Sequence, residues 1–197
     1  MFNSLKLARH DMYTPNNIVS LSLFHYIPVV NDIASYFNNI PSDYQSIKQT
    51  IHSGHSVSIM LGGVREMMDT EPRKIKLHVK KRSGLFKISL ETRKPIIPVL
   101  TYGENELFEP AKNYYTESLN DFLYTHFGIS IPFVTLHSLY KWYQLSYKPI
   151  DEIHSYVGNP ITPRKDDTIE TLRNRYIESV KKLFRKTAPL NYTLHIQ

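Results

Sequence analysis

Short apolar runs, separated by turn-forming and charged segments, set the pattern of the chain. Leu5 to Ala8 predicts a short strand with Arg9-His10-Asp11 just past its end, and Pro15-Asn16-Asn17 predicts a turn, because Pro fixes φ and Asn tolerates left-handed geometry. The apolar run from Ile18 to Ile27 is interrupted by Pro28. Val29, Val30, Ile33, Ala34, Tyr36 and Phe37 then recur at mixed three- and four-residue steps, which predicts a helix closed by Asn38-Asn39-Ile40-Pro41. Ser42-Asp43 is a capping signal for a further helix with Tyr44, Ile47 and Ile51 on one face, ended by Ser53-Gly54-His55.

The densest pattern lies between Ser56 and Phe108. A strand-like run, Val57 to Leu61, stops at Gly62-Gly63 and is followed at once by Arg65-Glu66. A second run, Ile96 to Thr101, stops at Tyr102-Gly103-Glu104-Asn105-Glu106. Two buried strands that each deliver glycine and a carboxylate at the C-terminal end make an α/β active-site pattern. Between them Gly84 to Leu90 predicts the start of a helix. Beyond them a helix is expected from Thr116, a third apolar run spans Ile129 to Leu136, and Ser146–Ile150 and Ser155–Ile161 read as edge strands because of their prolines. The last element is an amphipathic helix from about Asp167 to Lys186, with Ile169, Leu172, Tyr176, Val180, Leu183 and Phe184 on one stripe. Its acidic residues lie near the start and its basic residues near the end, matching the helix dipole.

Composition narrows the partners. With 197 residues and 41% hydrophobic content the chain can bury a core, and one domain is the natural count. The formal charge of +6 favours anionic partners: nucleic acid, a phosphorylated cosubstrate or an anionic membrane surface. Cysteine is absent, which removes disulfides, thiolate metal sites and a cysteine nucleophile. No apolar run approaches the ~20 residues of a membrane-spanning helix. The first residues lack the apolar core of a signal peptide, so any membrane attachment is expected to be peripheral.

Four constellations could carry chemistry. Gly62-Gly63 with Glu66 reads either as a loop whose open backbone N–H groups meet a ligand, with the carboxylate orienting a base or hydroxyl, or as a plain strand-to-helix turn. The basic run Arg73, Lys74, Lys76, Lys80, Lys81, Arg82 and Lys87 reads either as a phosphate clamp or as a solvated face. The turn Gly103-Glu104-Asn105 is acid-rich directly after an apolar strand, so it is either exposed or part of a site. The nine histidines show no metal-ligand spacing, and there is no P-loop or GxSxG elbow. Nucleic-acid binding finds no zinc, RNP-like or helix-turn-helix signature to support it.

Taken together, GGVRE, KLHVKKRSGLFKISL and PIIPVLTYGENELF resemble the diacylglycerol/monoacylglycerol acyltransferase family of the type 2 kind. Gly62, Gly63 and Glu66 match its Gly-Gly-x-x-Glu motif. Leu77, Lys80, Arg82 and Gly84 match its basic segment. Pro98, Val99 and Gly103 to Phe108 match its Gly-Glu-Asn motif. Weaker similarity reaches from LSLFHYIPVVNDI to YVGNPI and the terminal helix, so the resemblance covers Ile18 to Lys186.

The resemblance implies an α/β fold with a glycerolipid-acyltransferase-like central mixed sheet flanked by helices, in a single domain. It implies transfer of a fatty acyl group from acyl-CoA to a lipid alcohol such as mono- or diacylglycerol. A histidine would take the hydroxyl proton and positioned donors would stabilise the oxyanion. Acyl-CoA enters as a cosubstrate and no resident cofactor or metal is implied. The site residues so implied are His10 and Glu66 for catalysis, Gly62, Gly63, Lys80, Arg82 and Lys87 for the acyl-CoA phosphates, and Gly103, Glu104 and Asn105 in support. A peripheral location on endoplasmic reticulum or lipid droplet follows if the source is eukaryotic, with no nucleic-acid partner.

The chain also departs from the family. The catalytic His-Pro-His-Gly is not in the sequence, and Arg9-His10-Asp11-Met12 is the candidate in the right direction. The later His-Gly-Arg-Gly stands as His137-Ser138-Leu139-Tyr140, the Pro-Gly after the Glu motif stands as Pro72-Arg73, and the N-terminal membrane hairpin has no counterpart. The alternative expectation is therefore a truncated or degenerate homologue that binds acyl-CoA or lipid without turnover.

Overall fold

The computed structural model describes residues 16–26, 28–63, 71–107, 111, 113–131, 133, 135–136, 140, 143 and 153–197. The expected strands at Leu5–Ala8 and Ser146–Ile150, the candidate residues His10 and Glu66, and the His137 segment lie outside the described residues. Helices and strands are mixed, as an α/β chain requires, and the chain divides into two compact units, residues 1–60 and 61–197.

In the first unit a strand β1 (Asn16–Ser20) is followed by a 3-10 turn (Ser22–Tyr26), helix α1 (Pro28–Tyr36), β2 (Asn39–Pro41), α2 (Tyr44–His52) and β3 (Ser56–Ser58). The three strands form a parallel sheet in the order β2-β1-β3. Pro28 opens α1 at the position where its missing N–H costs nothing. Asn38 leaves that helix at φ 55°, a left-handed geometry that Asn tolerates. Asp43 caps α2, its carboxylate accepting the Ser46 N–H at 2.9 Å, and Gly54 turns out of the helix at φ 84°.

Two expectations are corrected here. Asn16-Asn17 is the start of β1 rather than a turn, because both residues pair with Ser56 and Val57 of β3, and tertiary pairing overrides local turn preference. Ile59 to Leu61 lie beyond β3, which ends at Ser58.

The second unit runs β4 (Lys74–Leu77), α3 (Gly84–Thr92), β5 (Val99–Tyr102), the short α4 (Glu104–Leu107), α5 (Tyr114–Phe127), β6 (His154–Val157), α6 (Ile169–Thr187) and β7 (Thr193–Ile196). β4 pairs in parallel with β7, and β5 pairs antiparallel with β6. Among the described residues the strands thus fall into three small sheets, with β3 and β5 in different ones. The run expected at Ile96 to Thr101 pairs as a ladder only from Val99 to Tyr102, with a separate bridge from Ile96 to Ile161. Pro98 explains the break, since it has no N–H to donate.

The core of this unit is built on α6. Thr168 and Thr171 form a reciprocal capping box at its start, and Leu172, Tyr176 and Val180 are buried on one stripe at four-residue steps. They meet Leu77, Val79, Phe86, Ile96, Leu100, Tyr102 and Ile161 in one cluster. Phe86 of α3 meets Tyr176 edge-on at 5.8 Å, and the Arg173 guanidinium lies 5.7 Å from the Phe86 ring centre. Gly158 closes the turn after β6 for a steric reason. Its N–H donates to the Pro98 carbonyl at 2.8 Å, and a β-carbon there would stand 2.8 Å from Pro98 Cγ.

Candidate functional site

The basic run does not act as one patch. Lys74 and Lys76, on β4, both donate to Glu71, at 2.5 Å each. Those hydrogen bonds, reinforced by the two ammonium charges, hold the Glu71 carboxyl down at about 2. Lys74 and Lys76 are therefore engaged in an ion-pair network beside the sheet, which is the solvated-face reading for that half of the run.

The other half behaves differently. β4 ends at Leu77, and the chain turns tightly over Val79 to Arg82, where the Arg82 N–H donates to the Val79 carbonyl at 3.1 Å. The turn is pinned from the far end of the chain, since the amides of Val79 and Lys80 both donate to the main-chain oxygen of Gln197, at 2.9 and 2.8 Å. From this anchored turn Arg82 reaches back and its Nη2 donates to the Gly62 carbonyl at 3.2 Å. Gly62 is buried, while Gly63 is exposed and adopts φ 56°, the left-handed region that favours glycine. A β-carbon on Gly63 would lie 3.8 Å from the same guanidinium nitrogen. Residues twenty apart in sequence are thus brought into one cradle.

α3 begins directly after this turn. Ser83 occupies its cap position and makes no side-chain cap hydrogen bond, and Gly84, the first helical residue, has open space where a β-carbon would project. The leading N–H groups of a helix are unsatisfied within the helix and carry positive partial charge. Lys80 and Arg82 precede them, Lys87 sits one turn into the helix, and all three side chains are exposed. A glycine pair, two cations before a helix start and one after it make an arrangement suited to phosphate oxygens.

The third group is held elsewhere. Gly103 leaves β5 at φ 89° and its N–H donates to the Tyr192 hydroxyl at 3.0 Å. Asn105 Nδ2 donates to the Lys74 carbonyl at 2.9 Å, tying this corner to the first residue of β4. Tyr102 beneath it is buried, bonded to Thr187 Oγ1 at 3.0 Å and packed edge-on against Tyr156 and Tyr192. Burial raises its phenol above the ordinary value, against the opposing effect of the Thr187 hydrogen bond. Glu104 is exposed. Asn105 therefore contacts the start of β4, whereas Lys80 and Arg82 follow its end, about 10 Å away at ~3.3 Å per residue. Gly62, Gly63, Arg82 and the α3 start come together; Gly103, Glu104 and Asn105 form a separate braced corner.

Tyr192, Thr187 and Gln197 brace these features although no local pattern in the sequence singles them out. β7 was not anticipated from the sequence; Thr193-Leu194-His195-Ile196 alternates, with its leucine and isoleucine half-buried.

Comparison with known proteins adds a consistent set of matches. A family profile described as diacylglycerol acyltransferase matches residues 8–192. The chain is similar to 2-acylglycerol O-acyltransferase 1 of Homo sapiens, at 28% identity over 84% of this chain and 53% of the relative. It is similar to the protein of the same name from Bos taurus, at 31% over 68% of this chain and 42% of the relative. It is also similar to diacylglycerol O-acyltransferase 2 of Dictyostelium discoideum, at 25% over 86% of this chain and 54% of the relative. The chain spans about half the length of the curated relatives it matches. No solved structure matches it.

Proposed function

Because the chain belongs to the diacylglycerol acyltransferase family, we propose that it takes part in moving a fatty acyl group from acyl-CoA to a lipid alcohol such as mono- or diacylglycerol. The observation that carries this reading is the cradle at the start of α3. Arg82 is held on the Gly62 carbonyl, Gly63 is exposed, and the start of α3, which has no side-chain cap, follows Lys80 and Arg82 in the chain and carries Lys87 in its first turn. A coenzyme A moiety offers several phosphate oxygens, and charge-assisted hydrogen bonds to such oxygens are among the stronger polar contacts a protein makes. In this reading Lys80, Arg82 and Lys87 hold the phosphates, and the Gly103-Glu104-Asn105 corner keeps the end of β5 and the start of β4 in register. His10 is the proposed base and Glu66 its support.

A peripheral membrane surface is part of the proposal. Among the described residues no helix is long and apolar enough to cross a membrane. The α5 side chains Tyr114 and Tyr115, at 78% and 81% exposure, are aromatic groups of the kind that settle at a bilayer interface.

The test is acyl transfer from radiolabelled acyl-CoA to mono- and diacylglycerol in membranes, with acyl-CoA binding measured alongside. Arg82→Ala should weaken acyl-CoA binding roughly 10- to 100-fold, the equivalent of one charge-assisted hydrogen bond. Unchanged binding would remove the cradle from the mechanism. His10→Ala should abolish transfer while leaving binding intact, and equal activity in both proteins would exclude His10 as the base. The absence of His-Pro-His-Gly favours a second reading, a homologue that binds acyl-CoA or lipid without turnover. Saturable binding with no transfer to any lipid alcohol would support it.

A further inference from the structure

The first unit holds a polar side-chain relay that neither the family motifs nor the cradle uses. Ser20 is the last residue of β1, His25 lies in the 3-10 turn that follows, and Asn31 is in the first turns of α1. Ser20 Oγ stands 3.1 Å from His25 Nε2, and His25 Nδ1 stands 3.2 Å from Asn31 Oδ1. All three residues are half-buried. The partners decide the tautomer. An amide oxygen only accepts, so Nδ1 carries the proton and donates to Asn31; the lone pair of Nε2 then faces the Ser20 hydroxyl and accepts from it. This is the hydrogen-bond order of a serine nucleophile, an imidazole base and a residue that orients the base.

Its position in the fold supports a role. In a parallel sheet ligands bind outside the carboxyl ends of the strands, where the strand order reverses. Here the order is β2-β1-β3, so the chain moves outward from β1 to β2 and then crosses to the other side of β1. The reversal falls at β1, and Ser20 is its carboxyl end. Tyr26 and Val29, neighbours of His25 and Asn31 in the chain, are 82% and 70% exposed and offer apolar surface to a hydrocarbon chain.

We propose that Ser20, His25 and Asn31 form a second acyl-handling site, acting on carboxylic esters or thioesters through an acyl-serine. His25 Nε2 takes the Ser20 hydroxyl proton as Oγ bonds to the acyl carbon. The bond from that carbon to the ester oxygen or thioester sulfur breaks, and the leaving group takes the proton from the imidazolium. Water then attacks the acyl-serine, passing its proton to His25, and the carboxylic acid departs as Ser20 recovers its proton. Asn31 is a positioning residue that acts through His25.

The proposed site uses none of the cradle's residues, and its test is separate from that of the cradle. A fluorophosphonate probe and p-nitrophenyl butyrate contain no coenzyme A, so their results bear on Ser20 alone. The whole chain should be labelled by the probe on the peptide carrying Ser20 and should release p-nitrophenol. Ser20→Ala should abolish both. His25→Gln should lower both by about 100-fold or more, the lower end of what a positioned base supplies. Asn31→Ala should lower the rate and shift its pH profile, while Asn31→Asp, which keeps an acceptor toward Nδ1, should restore part of it; a merely structural role predicts no such rescue. Absence of labelling and turnover in the wild-type chain overturns the proposal, whatever the variants do. Equal labelling of the His25→Gln variant, with an unchanged circular dichroism spectrum, also overturns it.

Discussion

The two compact units are stabilised by different means. Among the described residues of the first unit, Ala34 and Ile47 are the buried apolar side chains, while Val29, Ile33, Tyr36 and Phe37 on and beside α1 are mostly exposed. That unit relies on a parallel three-stranded ladder, the Asp43 cap and hydrogen bonds such as Thr50 to Ser46. Among its described residues the second unit has ten buried residues in one cluster, with aromatic rings meeting edge-on around Tyr102. Hydrophobic burial scales with apolar area, so the second unit has far more of the dominant stabilising term. The difference teaches where each kind of chemistry can be held. The described motif residues from Gly62 to Asn105 all belong to the unit with the deep core, whereas the Ser20–His25–Asn31 relay depends on hydrogen bonds for its geometry.

The contrast is tested most strongly by truncating one buried side chain in each unit. Leu172 has no exposure and lies within the cluster; Ile47 is 5% exposed, with Ala34 the other buried apolar side chain among the described residues of its unit. Leu172→Ala should leave an unfilled cavity and cost about 4–5 kcal/mol, the upper part of the range for such changes. Ile47→Ala should cost about 2 kcal/mol, the lower end of the range for such changes, because few buried apolar groups are described in its unit. Urea unfolding followed by circular dichroism measures both. Equal costs would mean that the first unit is as tightly packed as the second.

A pair of glycines sharpens the same point within the second unit. Gly158→Ala should destabilise by about 1–3 kcal/mol, since the new β-carbon would press on the buried Pro98 ring and stand 3.3 Å from its carbonyl oxygen. Gly84→Ala meets nothing within 4 Å and should be neutral or stabilise by up to about 1 kcal/mol. Thermal melts of the two variants should therefore move in opposite directions or leave Gly84→Ala unshifted. A destabilised Gly84→Ala would show that the start of α3 is not open.

These contrasts also explain what could be read from the sequence. α6 was legible almost to its ends because Leu172, Tyr176 and Val180 repeat at the helical period and its charges follow the helix dipole; α2 was legible from the Asp43 cap and the Tyr44, Ile47 and Ile51 face. The association of Gly62-Gly63 with Arg82 was legible only through the family motifs, since a contact across twenty residues leaves no local periodicity. β1 was misread because Asn16-Asn17 has turn chemistry and only its pairing with β3 makes it a strand. β4 was hidden inside the basic run, although Lys74-Ile75-Lys76-Leu77 alternates with the period of a strand. The relay was illegible for a different reason. Separations of five and six residues match no helical or strand period, and only a strand end followed by a 3-10 turn brings Ser20, His25 and Asn31 together.

The smallest expected effect concerns the surface charge beside β4. Hydrogen bonds from Lys74 and Lys76 hold Glu71 at about 2 against an ordinary 4.5, so its carboxylate favours the folded state. The sign follows from proton binding: between these two values the unfolded chain binds more protons than the folded one, and stability rises with pH. The contribution is therefore complete above about 4.5 and is lost as pH falls toward 2. Replacing Glu71 with Gln should lower the melting temperature most above pH 5, with the gap to wild type closing as pH approaches 2. Because the network is at the surface, added salt should shrink that gap, whereas it should leave the Leu172→Ala effect largely unchanged. Melting curves from pH 2 to 7 at low and high salt separate the two behaviours. A gap that persists unchanged at pH 2 would mean that Glu71 acts through packing rather than charge, and that this edge of the second unit shares the character of its core.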